Sequence, residues 1–282
     1  MRFMTLRPAV LYLLYPEWQG SGKAPAVQQG AITIARALFP HTAFLTIDSP
    51  HAEALQRVEG VIGLTSIAPR FRSAMARLRA ESADRIFTVG GTCGVEAAPV
   101  GYLNERYGGD LAVVWFDAHG DLNTPESSPS GNFHGMILRT LLGDGPAEYV
   151  SDLRRPLTPA QLFLAGTRDL DPPEMEFITA SGIAATPPNR FSDPQALVEN
   201  IKNRGFTHVY LHLDLDALNP EDFPDTLMRT PGGPSLDEVC EMMQAMSSAL
   251  DVVGFSLVEY IHGSDASLDA LRKLVACSGF SD

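Results

Sequence analysis

The chain has 282 residues, 45% hydrophobic and 20% charged, with 34 acidic against 21 basic side chains and a formal charge of -13. This composition excludes a disordered or collagen-like chain, and the negative total argues against nucleic acid or an anionic membrane as partner. The length suits one large α/β domain over residues 1–282, and the negative field favours a small cationic ligand.

The opening MRFMTLRPAVLYLLYP has a basic residue and an apolar stretch, but Pro8 and Pro16 leave too short a run for a signal peptide or a spanning helix. Ala9 to Tyr15 reads instead as the first strand. Ala26 to Phe39 follows with apolar residues three and four apart, the period of a helix. TAFLTI reads as a second strand, Ile67 to Arg79 as a helix, and RIFTVGG, LAVVWF and QLFLAG as buried strands. Asp193 before Pro194 offers an N-cap to a helix running to Arg204. HVYLHLDLD is the next strand. Ser235 with Glu238 makes a capping box for a helix ending near Leu250, and VVGFSLVEY is the last strand. Strands alternating with helices imply a mostly parallel sheet covered on both faces. Cys93, Cys240 and Cys277, an odd number without an export signal, point to a reducing, cytoplasmic compartment.

Two strand ends are acidic. WFDAHGD places Asp117, His119 and Asp121 at every second residue after an apolar run, and LHLDLDALNP does the same with Asp214 and Asp216. On an extended chain, residues two apart leave the same face, so like charges there need a cation between them or a proton on one of them. Carboxylates and an imidazole suit a divalent metal, whereas two solvated acidic loops are the plain alternative. GGTCG after RIFTV and Glu259 closing VVGFSLVE bring polar groups to two further strand ends, where parallel folds hold their ligands.

The segments DAHGDLNTP, SGNFHG, GTRDLDP, LDLDALNP and FSLVE, in this order from about Gly90 to Glu259, resemble the ureohydrolase family of arginase, agmatinase and formimidoylglutamase. The resemblance implies a three-layer α/β/α sandwich and two manganese ions held by Asp117, His119, Asp121, Asp214 and Asp216, with Asp117 and Asp214 bridging. Such a pair of dications lowers the pKa of a shared water for attack on a guanidinium carbon. By the same resemblance Asp121 can carry the proton of that water, His134 shuttles a proton to the leaving amine, and Glu259 pairs with the guanidinium. Asn123, Ser130 and Asp171 match positions that contact the α-carboxylate and α-amino group in arginase-like members. Their alternative role is in turns.

Cys93 departs from the family pattern, which has histidine there. As a thiolate it would join Asp117, Asp121, Asp214 and Asp216 to set five negative charges against two dications, and it would admit softer ions such as zinc or iron. Cysteine at this place resembles the hydroxyarginine hydrolase of cycloserine biosynthesis, while the alternative is a small buried residue that ligates nothing. The expected activity is hydrolysis of arginine or a close analogue to ornithine and urea or a urea analogue. Nω-hydroxyarginine, agmatine and formimidoylglutamate stay open as substrates, a two-metal phosphoesterase and a metal-poor binding protein stay open as rival classes, and a homo-oligomer is compatible with the family.

Overall fold

The computed structural model describes residues 9–22, 24–261 and 263–280, so the part of the opening stretch before Ala9, too short an apolar run for a signal peptide, lies outside the described residues. The described residues form ten strands: β1 (Val10–Tyr15), β2 (Phe44–Thr46), β3 (Arg57–Val58), β4 (Val61–Ile62), β5 (Arg85–Gly90), β6 (Ala112–Phe116), β7 (Leu162–Ala165), β8 (Ala184–Thr186), β9 (His208–Asp214) and β10 (Asp251–Val258). Each of the seven apolar runs read from the sequence becomes one of them. β3 and β4 pair as a separate antiparallel hairpin, and the remaining eight form one sheet in the order β2-β1-β5-β10-β9-β6-β7-β8. Every pairing in that sheet is parallel. β5 and β6 are buried along their whole length, which explains runs such as AVVWF without polar alternation.

One face of the sheet is covered by α2 (Leu64–Glu81), α3 (Ala97–Arg106), α4 (Ile137–Leu141), α5 (Ala147–Val150) and, at its margin, α6 (Pro172–Ser181). The other is covered by α1 (Ala26–Leu38), α7 (Pro194–Asn203), α8 (Leu236–Ala249) and α9 (Asp265–Cys277). The result is the three-layer α/β/α sandwich expected. Asp193 caps α7 by accepting from the Ala196 amide, and Ser235 and Glu238 form the capping box of α8. Among the described residues no helix is long and apolar enough to cross a membrane.

α1 touches the backbone beyond β10 at Gly30, where an added Cβ would lie 1.8 Å from the Tyr260 carbonyl oxygen. A carbonyl cannot rotate away as a flexible side chain can, so the helix or the strand must shift. Gly30→Ala is expected to destabilise the chain by about 1–3 kcal/mol, as overpacking does, measured by urea denaturation. Unchanged stability would mean that this contact yields freely.

Candidate metal centre and active site

The sheet order makes β5, β10, β9 and β6 consecutive neighbours at the centre of the sheet. Their carboxyl ends deliver Cys93, Glu259, Asp214 and Asp117 to one place, the edge where open parallel sheets bind ligands. There a cavity of about 300 Å³ is lined by Cys93, His119, Asp121, His134, Asp214 and Asp216, with Glu259 beside them. Asn123, Ser130 and Asp171 line the same cavity, so it gathers all the expected site residues but Asp117, which is buried beneath.

The local backbone serves this convergence. Asp214 ends β9, but Asp216 lies in a 3-10 turn, Leu215–Ala217, so the two acids do not share an extended face as their spacing suggested. The turn is closed instead by the Asp216 amide donating to Asp214 Oδ1 at 2.8 Å. Asp117 Oδ1 accepts the His119 amide at 2.7 Å and Oδ2 accepts Trp115 Nε1 at 3.1 Å. Asp121 and Glu259 take φ values of +52° and +63°, a left-handed conformation that non-glycine residues seldom adopt. Strain of this kind clusters at functional sites and is sustained by the surrounding packing.

Among the described residues, potential ligand atoms fall into three groups, each with its members within 4.8 Å of one another: Cys93, Asp214 and Glu259; Asp117, His119 and Asp216; Cys93, Asp117 and His212. Asp117 and Cys93 each belong to two of them. Asp121 lines the cavity but belongs to none of these groups, and Glu259, read only as a substrate carboxylate, belongs to one. His212 was missed. Its signal was the alternation His212, Asp214, Asp216 within LHLDLD, overshadowed by the acids. Glu174 was missed too; it lines the cavity, and its two oxygens accept the Leu122 and Asp171 amides, each at 2.9 Å.

The electrostatics call for positive charge. Burial, then the neighbouring acids, push Asp121 and Asp214 well above the usual carboxylate range, and burial with Asp117 pushes Asp216 up to about 6. Burial acts against a charge on His119, yet hydrogen bonds to Asp117 and Asp216 push it up to about 12. Burial and then Asp214, Asp121 and Glu259 hold the Cys93 thiol protonated, with Sγ 3.1 Å from Asp214 Oδ2, so a thiolate forms there only along with a cation. Asp121 Oδ2 and Glu259 Oε2 are buried with no hydrogen-bond partner. Closely packed acids, a thiol and an imidazole, with orphaned oxygens among them, fit divalent metal ions.

Residues 39–272 match the profile of the Arginase family. The chain belongs to the arginase family. Arginase of Staphylococcus aureus strain COL is 37% identical over 200 residues, which are 68% of this chain and 65% of that protein. Arginase of Bacillus caldovelox is 37% identical over 157 residues, 53% of this chain and 52% of that protein. In both matches the chain spans less than two thirds of the relative's length. The fold of this arginase-family chain is that of Entamoeba histolytica arginase solved with L-ornithine, at a TM-score of 0.87, 23% identity and coverage of 95% of this chain and 97% of that one. Formimidoylglutamase of Bacillus subtilis superposes at a TM-score of 0.74, with 17% identity over 96% of this chain and 85% of that one.

Around the arginase-family cavity, Arg168 donates to the carbonyls of Asp216 at 2.9 Å, Ala217 at 3.1 Å, Thr230 at 2.7 Å and Pro231 at 3.0 Å. One guanidinium thus ties the Asp216 turn to the 225–234 loop, whose Met228 lines the cavity. Asn123 Nδ2 donates to Asp171 Oδ2 at 2.9 Å and Asn123 Oδ1 accepts from Ser127 Oγ at 2.8 Å. Asp171 also closes a capping box with Glu174 at the start of α6, so it shapes the local turn as well as lining the cavity wall.

Proposed function

We propose that this chain is a metal-dependent amidinohydrolase, built as one catalytic domain, that cleaves the guanidino C–N bond of arginine or a close analogue. The products are ornithine and urea or a urea analogue. The observation that carries this reading is the meeting of Cys93, Glu259, Asp214 and Asp117 at the ends of four adjacent strands, in a family of arginases. Asp117, His119, Asp121, Asp214, Asp216 and Cys93 would hold two manganese ions, or zinc or iron where the thiolate favours them. Bound there, the ions supply Lewis acidity and a water made acidic enough to attack at neutral pH.

The residues of the chain do the rest. Glu259 Oε1 is fixed by the Cys93 amide at 3.1 Å and by His134 Nδ1 at 3.1 Å, which leaves Oε2 free for the planar guanidinium. Burial opposes a charge on His134, but the Glu259 contact overrides it and holds its pKa above the ordinary value. His134 therefore carries a proton to give the departing amine, which leaves only if protonated. Asp121, whose Oδ2 is buried without a partner, would take up the proton released at the attacking water. Asn123, Ser130 and Asp171 receive the far end of the substrate, where Asp171 attracts an ammonium group and the amide and hydroxyl donate to a carboxylate. The resemblance of Cys93 to the cysteine of the hydroxyarginine hydrolase of cycloserine biosynthesis supports a second substrate, Nω-hydroxyarginine. Three free cysteines agree with a reducing, cytoplasmic setting.

Manganese-loaded protein incubated with arginine, hydroxyarginine, agmatine, guanidinobutyrate and formimidoylglutamate is expected to release urea or hydroxyurea from the first two, detected by mass spectrometry. Silence on all five overturns the proposal. Glu259→Gln keeps an acceptor for the Cys93 amide but loses the charge that faces the guanidinium. It is expected to lower kcat/KM by ~100-fold, about 3 kcal/mol, with folding intact by circular dichroism. Full activity would remove Glu259 from the substrate site.

A further inference from the structure

Directly beneath the acids, one row of polar residues crosses an otherwise apolar sheet face. Trp115 on β6 pairs in register with His212 on β9, His212 with Ser256 on β10, and Ser256 with Thr88 on β5. His212 is fully buried, with Nδ1 3.2 Å from Ser256 Oγ and Nε2 without a hydrogen-bond partner. A ring nitrogen of His212, the Cys93 sulfur and an Asp117 carboxylate oxygen all lie within 4.8 Å of one another.

We infer that His212 is a metal ligand through Nε2 and completes a Cys93, Asp117, His212 donor set on the inner side of the metal centre. This rests on the reading that the cavity holds cations. A buried imidazole nitrogen with no partner is destabilising by about 1–3 kcal/mol, and a cation shared with Cys93 and Asp117 satisfies it. The surroundings already orient the ring. Its Nδ1 contact to Ser256 suits the tautomer that leaves a lone pair on Nε2, the role that an outer hydrogen bond plays for ligating histidines. The Trp115 indole stacks on the His212 ring, centroids 3.4 Å apart and planes 15° apart, while its Nε1 holds Asp117 Oδ2. A single side chain thus positions two of the three donors. Thiolate, imidazole and carboxylate together select zinc, cobalt or iron over the harder manganese, and binding releases the thiol proton to solvent.

The test titrates chelator-treated full-length protein with cobalt(II), following the near-ultraviolet thiolate-to-cobalt charge-transfer band, beside Cys93→Ser and His212→Asn. Asparagine keeps a polar group where Nδ1 meets Ser256 but removes the far nitrogen. Wild type is expected to develop the band. Cys93→Ser should lack it, and His212→Asn should need ~10- to 100-fold more cobalt to reach it. An unchanged cobalt affinity in folded His212→Asn overturns the inference, whatever the enzyme does to arginine. If that variant does not fold, a crystal structure of the zinc-loaded wild type decides: an ion about 2.0–2.1 Å from Nε2 supports the assignment, and an ion beyond hydrogen-bond distance overturns it. Cobalt binding that depends on His212 in a chain that turns over no guanidino substrate leaves this inference standing and removes the hydrolase. A wild type that binds no cobalt removes both.

Discussion

Replacing Asp117 with asparagine is expected to lower kcat/KM on the guanidino substrate by ~1000-fold or more, about 4 kcal/mol, and to abolish the rise in thermal stability that manganese or cobalt gives the wild type. Asp117 is fully buried and belongs to two of the three donor groups, so no other carboxylate is as well placed to serve two ions at once. Asparagine has the same shape, but its amide NH₂ must face either the Trp115 Nε1–H or the His119 N–H, both of which are donors. The metal-free variant should nonetheless fold. The Asp117 charge raises the pKa of Asp121, Asp214 and Asp216, so its removal relieves repulsion among the remaining acids. Calorimetric melting with and without metal separates the two effects. A variant that melts as the wild type does in both conditions, and keeps its turnover, would mean that the cations sit elsewhere.

How far the sequence reveals this site depends on which part is considered. The strands were legible because burial on both faces leaves no polar alternation, as in RIFTVG and AVVWF. β3, β4 and β8 were not, since Arg57–Val58 and Val61–Ile62 are two-residue strands of a hairpin, and Ala184–Thr186 is a short, half-exposed strand at the margin of the sheet, with two alanines and no apolar run. α9 carried a signal that went unread: Ser264 caps it by accepting from the Ser267 amide, and Leu268, Leu271 and Leu274 repeat every third residue. The acids of the site could be named from their spacing, but their meeting could not. It requires β10 to insert between β5 and β9, a placement that connection rules favouring sequential neighbours do not specify for β5. Gly254 had a readable cause only afterwards: a Cβ there would lie 2.0 Å from the Tyr210 ring, which crosses β10 at that point. Cys93 is the reverse case. Its importance came from a resemblance, and its donor partners came from packing.

The buried polar layer that includes Tyr210 predicts an unusual pH dependence of stability. Glu96 is fully buried above the sheet and accepts from Tyr210 Oη at 2.5 Å through Oε2, while Oε1 has no partner. Burial pushes its pKa from 4.5 up to about 8, against the Tyr210 and Ser256 hydrogen bonds that pull it down. Glu17, at the carboxyl end of β1, is likewise pushed by burial from 4.5 up to about 7, although the Gly20 amide donates to its Oε1. Below about pH 4.5 both glutamates are protonated whether the chain is folded or not, and they add no slope. As the pH rises, the unfolded chain releases these protons while the folded chain retains them, so stability falls until the folded pKa values near 7 and 8 are passed. His212 works in the opposite sense, because burial holds its pKa down near 3, but that contribution is complete once the unfolded histidine is neutral, above its ordinary 6.5. The interval from about pH 6.5 to 8 therefore isolates Glu96 from His212. At about 1.4 kcal/mol per pH unit, Glu96 is expected to cost the wild type on the order of 2 kcal/mol across it, in addition to the slopes of Glu17, His119 and the acids of the metal centre, which comparison with a Glu96 variant subtracts. Glu96→Gln keeps an acceptor for Tyr210 and has nothing to titrate. Urea denaturation of chelator-treated protein at several pH values should show a flatter profile for that variant, with a stability gain over wild type that grows with pH. If the two profiles run parallel, Glu96 already shares its proton with solvent, and the layer beneath the metal centre is wetter than its packing indicates.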